Sequence, residues 1–537
     1  MKSEKKQVLK SVEAEITPDS HGRVAGRSEL FRPGFRVRID RLFVRYPYSA
    51  VAHYLFLGFC FSSCLSIAAA QIFIIAALVL WLAVSVGFIK AAPDSSDQFE
   101  SSGQAERTLA LIVASWIAVS MLAALVGIDP LHATPETFKS SIFLFLPFAV
   151  SSALRHANLS DRNLIRRLMT YLTMLVASQC IASIHTIISA AIGFEFPPRG
   201  PGPVTESGQL LLTLHCFICA CFIASWSRSS DQRLRINIFG MAISPAVLSV
   251  GMLSLFLLIA WPQMAESVPA LTVMVQAGFS ALALLVLAGL FIPALIRRRQ
   301  PGAAADRQND GQLPMAFFSV AGALLVAAFV INLKRGPWLG FGFSLLLLGV
   351  LLARKRLIGA VIAGSFVLFL LGPAHQRIIN FAADYEISGG RKSMWELGVE
   401  LIERYPLGLG LGNASYMRII DPSLPPQHRH MHNNLLNVAV ETGLIGVVIY
   451  LTLMIYTVSL GIRLWNSAKS DKQPYVHSMA LAVLSISCAL LGWQIAGGVE
   501  YNFGDGEIRM IALLLVGLLV TIAGRLAQRV TVFQPPN

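Results

Sequence analysis

The sequence predicts an all-α, polytopic transmembrane helical bundle of about 12 to 14 spans, and three observations carry that prediction. First, 55% of the 537 residues are hydrophobic and only 14% are charged, with a mean hydropathy of +0.63. A soluble domain of that composition would turn a large apolar surface to water, so lipid is the solvent. Second, apolar runs of about 20 residues, the length that crosses a bilayer core, recur from residue 49 almost to the C-terminus. Backbone groups in lipid must be satisfied within their own segment, so these runs are helices. Third, Lys and Arg fall in short clusters between the runs. The formal net charge of +13 therefore reads as membrane topology and not as a nucleic-acid surface.

In chain order, residues 1–48 make a basic tail with Lys5, Lys6, Arg23, Arg27, Arg36, Arg38, Arg41 and Arg45. The tail lacks the apolar stretch of a cleavable signal peptide and reads as cytoplasmic. A transmembrane bundle follows over 49–373, each span being an apolar run closed by a polar, basic or Gly/Pro break. Its spans lie near 49–68, 70–89, 107–127, 139–154, 167–191, 208–227, 238–261, 267–295, 314–333, 337–353 and 357–373. The first pair has almost no loop between its members, and the run at 139–154 is short. A polar segment occupies 374–434, and the C-terminal helices over 435–537 hold spans near 435–461, 478–498 and 509–525.

Cys60, Cys64, Cys180, Cys216, Cys219, Cys221 and Cys488 all fall inside these spans, where a thiol behaves as a small apolar group, so no disulfide framework is expected. His215 with Cys216, Cys219 and Cys221 resembles a metal cluster only superficially. One helical face cannot present all four, and span packing is the expected role.

With the basic tail cytoplasmic, alternate loops should be basic, and they are. Arg155 with Arg162, Arg166 and Arg167, Arg228 with Arg233 and Arg235, and Arg297 to Arg299 fall on one side. Arg354 to Arg356, Arg463 with Lys469 and Lys472, and Arg525 with Arg529 continue the pattern, which predicts that both termini are cytoplasmic. The opposite loops are rich in Gly, Pro and acids. They comprise 197–209, Lys334-Arg335-Gly336-Pro337-Trp338, the segment 374–434 and the stretch 500–507, so four distant segments converge on the extracytoplasmic face.

A polar loop of about sixty residues between spans is usually functional. Within it, Met394, Trp395, Leu397, Leu401 and Ile402 form a helical stripe, which predicts a short amphipathic helix from Arg391 to Arg404. Tyr405-Pro406 ends it, and Gly408, Gly410 and Gly412 make a tight, flexible turn. Arg391 at that helix's start opposes the helix dipole, which points to an anionic partner, although a pair with Glu396 or a lipid headgroup would also account for it. Arg335 beside Lys334 lies where topology disfavours positive charge, so it either snorkels to lipid phosphate or binds an anion.

His428, His430 and His432 crowd the end of the loop, and Asn433 is a good helix cap. His432 would then sit at a helix N-terminus, a position that favours a neutral imidazole able to accept a proton and that also binds phosphate. Metal binding by three alternating histidines lacks the usual second ligand set. Glu441 lies about two turns into the following span, where an acid is costly unless it is paired or lines a polar cavity. Glu500, Asp505 and Glu507 are available to hold an arginine or the histidine, or are ordinary loop acids.

Three pieces of the last two hundred positions resemble the O-antigen ligase and polymerase superfamily of bacterial envelope glycosyltransferases. They are Arg335-Gly336-Pro337-Trp338 opening a span, Arg391 and Trp395 followed by Tyr-Pro-Leu-Gly-Leu-Gly-Leu-Gly at 405–412, and His432-Asn433-Asn434-Leu435-Leu436 running into Glu441-Thr442-Gly443 and then 500–507. The likeness covers residues 313–515. The N-terminal half matches only in its many spans and in the Arg-Gly-Pro-Gly segment at 199–202.

The resemblance implies a C-type glycosyltransferase-like membrane fold in the bacterial inner membrane, with a periplasmic site. It implies transfer of a glycan from a polyprenyl (undecaprenyl) pyrophosphate carrier to an acceptor hydroxyl, with inversion and without cofactor, metal or nucleotide sugar. Arg335, Arg391, Arg199 and Lys334 would hold the pyrophosphate and His432 would act as base, supported by Asn433, Trp338, Glu441 and Asp505. The His-Asn-Asn setting and the single long loop favour a ligase that caps lipid A core, with a polymerase of O-antigen or exopolysaccharide units as the alternative. A transporter or flippase would need charged residues near mid-membrane in repeated halves, a pattern the spans lack.

Overall fold

The computed structural model describes residues 47–89, 103–191, 203–229, 312–370, 372–380, 391–422, 424, 429–471 and 473–533. The basic tail, Arg199, His428 and the expected spans over 238–261 and 267–295 lie outside them. Among the described residues the chain is helical without strands. In chain order the helices are α1 (Tyr48–Ser62), α2 (Ile67–Ser85), α3 (Gly103–Val126), α4 (Pro130–Phe143), α5 (Leu146–His156), α6 (Asp161–Ala191) and α7 (Pro203–Ser229). There follow α8 (Gln312–Ile331), α9 (Arg335–Leu351), α10 (Lys355–Leu370), α11 (Gly372–Ile379) and α12 (Arg391–Arg404). After a helical turn over 413–420 come α13 (Asn434–Ala468), α14 (Pro474–Ala496) and α15 (Gly506–Phe533). Among the described residues, eight candidate spans are long and apolar enough to cross a membrane, so the chain is a multi-pass membrane protein.

The span expected over 139–154 lies within the candidate span Pro130–His156, which is built of two helices, α4 and α5, parted at Leu144–Phe145. Pro147 is the reason: it has no N–H to give to the preceding turn, but fits the first turn of a new helix. α14 is the centre of the bundle, buried along nearly its whole length and flanked by α7, α9, α13 and α15. Small residues let the helices approach. A Cβ on Gly340 of α9 would stand 2.1 Å from the Gly492 carbonyl oxygen of α14, a close packing typical of helices in lipid.

α13 is broken. Gly443 has φ 71° and ψ −178°, a backbone conformation open to glycine. A straight helix would hold Asn434 and Tyr450 about 24 Å apart, yet Asn434 Nδ2 donates to the Tyr450 hydroxyl at 3.2 Å. The two arms therefore fold back on each other. The break frees backbone groups that lipid cannot satisfy, and the 405–412 segment satisfies them. Leu409 N–H donates to the Val440 carbonyl at 2.8 Å and Gly410 N–H to that of Glu441 at 2.9 Å, while Leu444 N–H donates to Pro406 at 3.3 Å.

The glycine turn at 408–412, expected to be flexible, is thus pinned. Gly408, Gly410 and Gly412 have φ of 93°, 92° and 83°, and a Cβ on Gly408 would lie 2.6 Å from the Glu441 carbonyl oxygen. The same turn is tied to the start of α4. Ile128 N–H donates to Leu409, and the Tyr416 hydroxyl donates to Asp129 at 3.0 Å.

Candidate active site

α12 forms over the residues its apolar stripe requires, burying Met394, Leu397 and Leu401 against Met417, Met431 and Val440. The Trp395 indole N–H donates to the Met431 carbonyl at 2.8 Å, so α12 carries the histidine turn with it. The turn is then fixed by two asparagines. Asn433 caps α13 by accepting from Leu436 N–H at 3.0 Å and donates to the Gly498 carbonyl at 2.9 Å. Asn434 donates through its backbone to Gly497 and through its side chain to Asn502, and it accepts from Phe503 N–H. The start of α13 and the 497–503 loop are therefore one rigid unit.

That loop delivers Glu500, which is 7% exposed. Arg391 donates to its Oε1 at 3.3 Å, and His432 Nδ1 stands 3.7 Å from its Oε2. Gly336 packs on it as well: a Cβ there would be 3.1 Å from the Glu500 Cγ, which sets the start of α9, with Lys334 and Arg335, beside the carboxylate. Burial alone would raise the Glu500 carboxyl, but the His432 ring and the charges of Lys334 and Arg391 outweigh it and hold the group below its ordinary range. Two cations and a histidine, distant in sequence, thus meet at one buried anion.

His432 itself has φ 46°. The left-handed region costs a non-glycine residue about 1–2 kcal/mol, and strain of this kind persists where surrounding contacts over-determine it. Its ring meets that of His430 at 4.3 Å, and His430 in turn lies 5.3 Å from Tyr501.

The structure thus gathers His432, Arg391 and Lys334 at Glu500, with Arg335 adjoining and Asn433 as the clamp. The other expected site residues have different surroundings. Trp338 donates its indole N–H to the Phe329 carbonyl at 2.9 Å and ties α9 to α8. Glu441 sits at the break in α13, accepting from Gly412 N–H at 3.0 Å and from the Tyr501 hydroxyl at 3.2 Å. Asp505 accepts from the Thr205 hydroxyl at the start of α7. Arg199 lies outside the described residues. His215 packs in the bundle interior, with its Nε2 2.8 Å from the Ser344 hydroxyl.

Sequence reasoning left Glu500 undistinguished among three acids and gave Asn434, Tyr501 and Asn502 no role beyond the motifs that contain them. The available signal was charge. Lys334, Arg335 and Arg391 cluster at one face of a membrane protein, and buried cations require an anion.

No curated protein matches the chain. Residues 320–451 match the family model described as O-antigen ligase, a span that contains Lys334, Arg335, Arg391 and His432 but ends before Glu500. Over that region the chain is similar to the O-antigen ligase family, a likeness that supports a glycosyltransferase-like role in O-antigen or polysaccharide processing.

Proposed function

We propose that this protein transfers a glycan from a polyprenyl pyrophosphate carrier to an acceptor hydroxyl at the periplasmic face of the bacterial inner membrane, with lipid A core as the acceptor. The observation that carries the reading is the meeting of Arg391, Lys334 and His432 at Glu500. In this reading His432 takes the proton of the acceptor hydroxyl through Nε2, while Glu500 orients the ring from the Nδ1 side. Contacts of this kind are commonly long without substrate and tighten in the reacting complex.

The acceptor oxygen attacks the anomeric carbon from the face opposite the pyrophosphate. The carbon–oxygen bond to the carrier breaks as the new glycosidic bond forms, inverting the centre. Arg335, Arg391 and Lys334 stabilise the negative charge that gathers on the departing pyrophosphate. Both termini are then cytoplasmic, and 374–434 is the periplasmic catalytic loop.

The test is glycan transfer by the purified protein in lipid, with polyprenyl pyrophosphate-linked glycan as donor and lipid A core as acceptor. Capped core with wild type, and none with folded His432→Ala or Arg335→Ala, is the expected result. Extension of carrier-linked chains with the core untouched would make the protein a polymerase. Full activity in His432→Ala would remove the base assignment.

A further inference from the structure

The turn that carries His432 is held one peptide group at a time. Met431 is fully buried, its N–H donating to the Asn437 side-chain oxygen at 3.1 Å and its carbonyl accepting from Trp395 at 2.8 Å. The next N–H, that of His432, donates to Nδ1 of the His430 ring at 3.4 Å. His430 thus meets the backbone donor of the very residue whose φ is 46°. The ring is also walled in. It stands 4.3 Å from the His432 ring, edge to face, and 5.3 Å from Tyr501. Tyr501 is fixed in turn by its hydroxyl, which donates to Glu441 at 3.2 Å, and by Gly504, where a Cβ would stand 2.2 Å from the Tyr501 Cε1.

A backbone amide only donates, so Nδ1 of His430 must present a lone pair, and the neutral ring carries its proton on Nε2. A side-chain acceptor bonded to the N–H two residues on is the geometry of an Asx turn, here made by an imidazole in place of an amide or carboxylate. The bond offsets the strain of the left-handed backbone at His432. That backbone in turn sets the direction of the His432 side chain, whose Nδ1 lies 3.7 Å from Glu500. Relaxing φ to the ordinary negative range would re-aim the imidazole.

We propose that His430 is a positioning residue for the transfer reaction, a role that rests on His432 acting as the base. It works through Nδ1 and the backbone of His432, takes no proton from the acceptor, and leaves donor binding to the cations.

The experiment separates the acceptor atom from the ring, using full-length protein in lipid nanodiscs and the transfer assay. His430→Phe keeps a ring between His432 and Tyr501 but removes the acceptor. Its kcat should fall about 10–10²-fold, the effect of a misplaced base, with the KM for donor within about twofold of wild type. His430→Asn places Oδ1 where Nδ1 stood and should recover kcat to within about threefold of wild type. Nitrogen NMR of protein labelled in its histidine rings reads the tautomer without activity, the His430 signals being those lost in His430→Asn, and should show the proton on Nε2. A proton on Nδ1 would overturn the role. So would an inactive His430→Asn that remains folded, a result expected of a ring that carries protons. Full activity in His432→Ala would instead strike the base assignment, and the role of His430 with it.

Discussion

At the scale of single residues, the proposed chemistry turns on Glu500, because it touches both the histidine and an arginine. Glu500→Gln keeps the shape and removes the charge. We expect a fall in kcat of about 10²-fold in the transfer assay with the helix content retained by circular dichroism. His432→Ala should cost about 10²–10⁴-fold. The pH dependence has a definite sign. The Glu500 carboxyl is depressed below its ordinary value of 4.5, so its stabilising contribution is complete above that pH and is lost as pH falls through the lower folded value. The difference in melting midpoint between wild type and Glu500→Gln should therefore be flat from about pH 8 to about pH 5 and shrink in more acidic buffer. A difference that already shrinks near neutrality would mean that Glu500 is not held ionised by its neighbours.

At the scale of elements, the break in α13 and the 405–412 segment complete each other. Gly408→Ala would force a Cβ against the Glu441 carbonyl and hold a φ of 93°, and the expected loss is about 2–4 kcal/mol, read as a lowered midpoint in nanodiscs. The sequence made some of this legible. α12 has the bounds that its apolar stripe and Tyr405-Pro406 imply, Arg391–Arg404, because a periodic pattern and a proline are local signals. The cap at Asn433 is local too.

The break at Gly443 was not legible, because a glycine inside an apolar run is compatible with a straight helix. Only the arrival of Pro406 and Leu409 at its backbone makes the broken form favourable. Glu500 stayed ambiguous for the same reason. Which of three acids meets Arg391 depends on how Asn434 and Asn502 fold the loop, and neither residue announces that in isolation.

At the scale of the whole molecule, the bundle has two unlike ends. One gathers Lys334, Arg335, Arg391 and His432. The opposite end is held by acid–arginine pairs, Arg155 with Glu106 and Arg525 and Arg529 with Asp161. If the first end faces the periplasm, Ile419→Cys, at a site 70% exposed, should react with a membrane-impermeant maleimide on intact spheroplasts, and Ser470→Cys only after permeabilisation. The native thiols leave a low background, since all but Cys221 are buried. The reverse labelling pattern would invert the topology and place the reaction centre on the wrong side of the membrane for the proposed donor.

The broken helix also bears on how the chain is made. A helix interrupted at Gly443 would leave the ribosome with its Val440 and Glu441 carbonyls unanswered, a form that lipid rejects. Its partners, Pro406, Leu409 and Gly410, are translated earlier, and the Ile128–Asp129 corner that steadies them earlier still. Synthesis order thus delivers the socket before the piece that fits it, and a circular permutant that reversed the two would have to insert α13 with its backbone exposed.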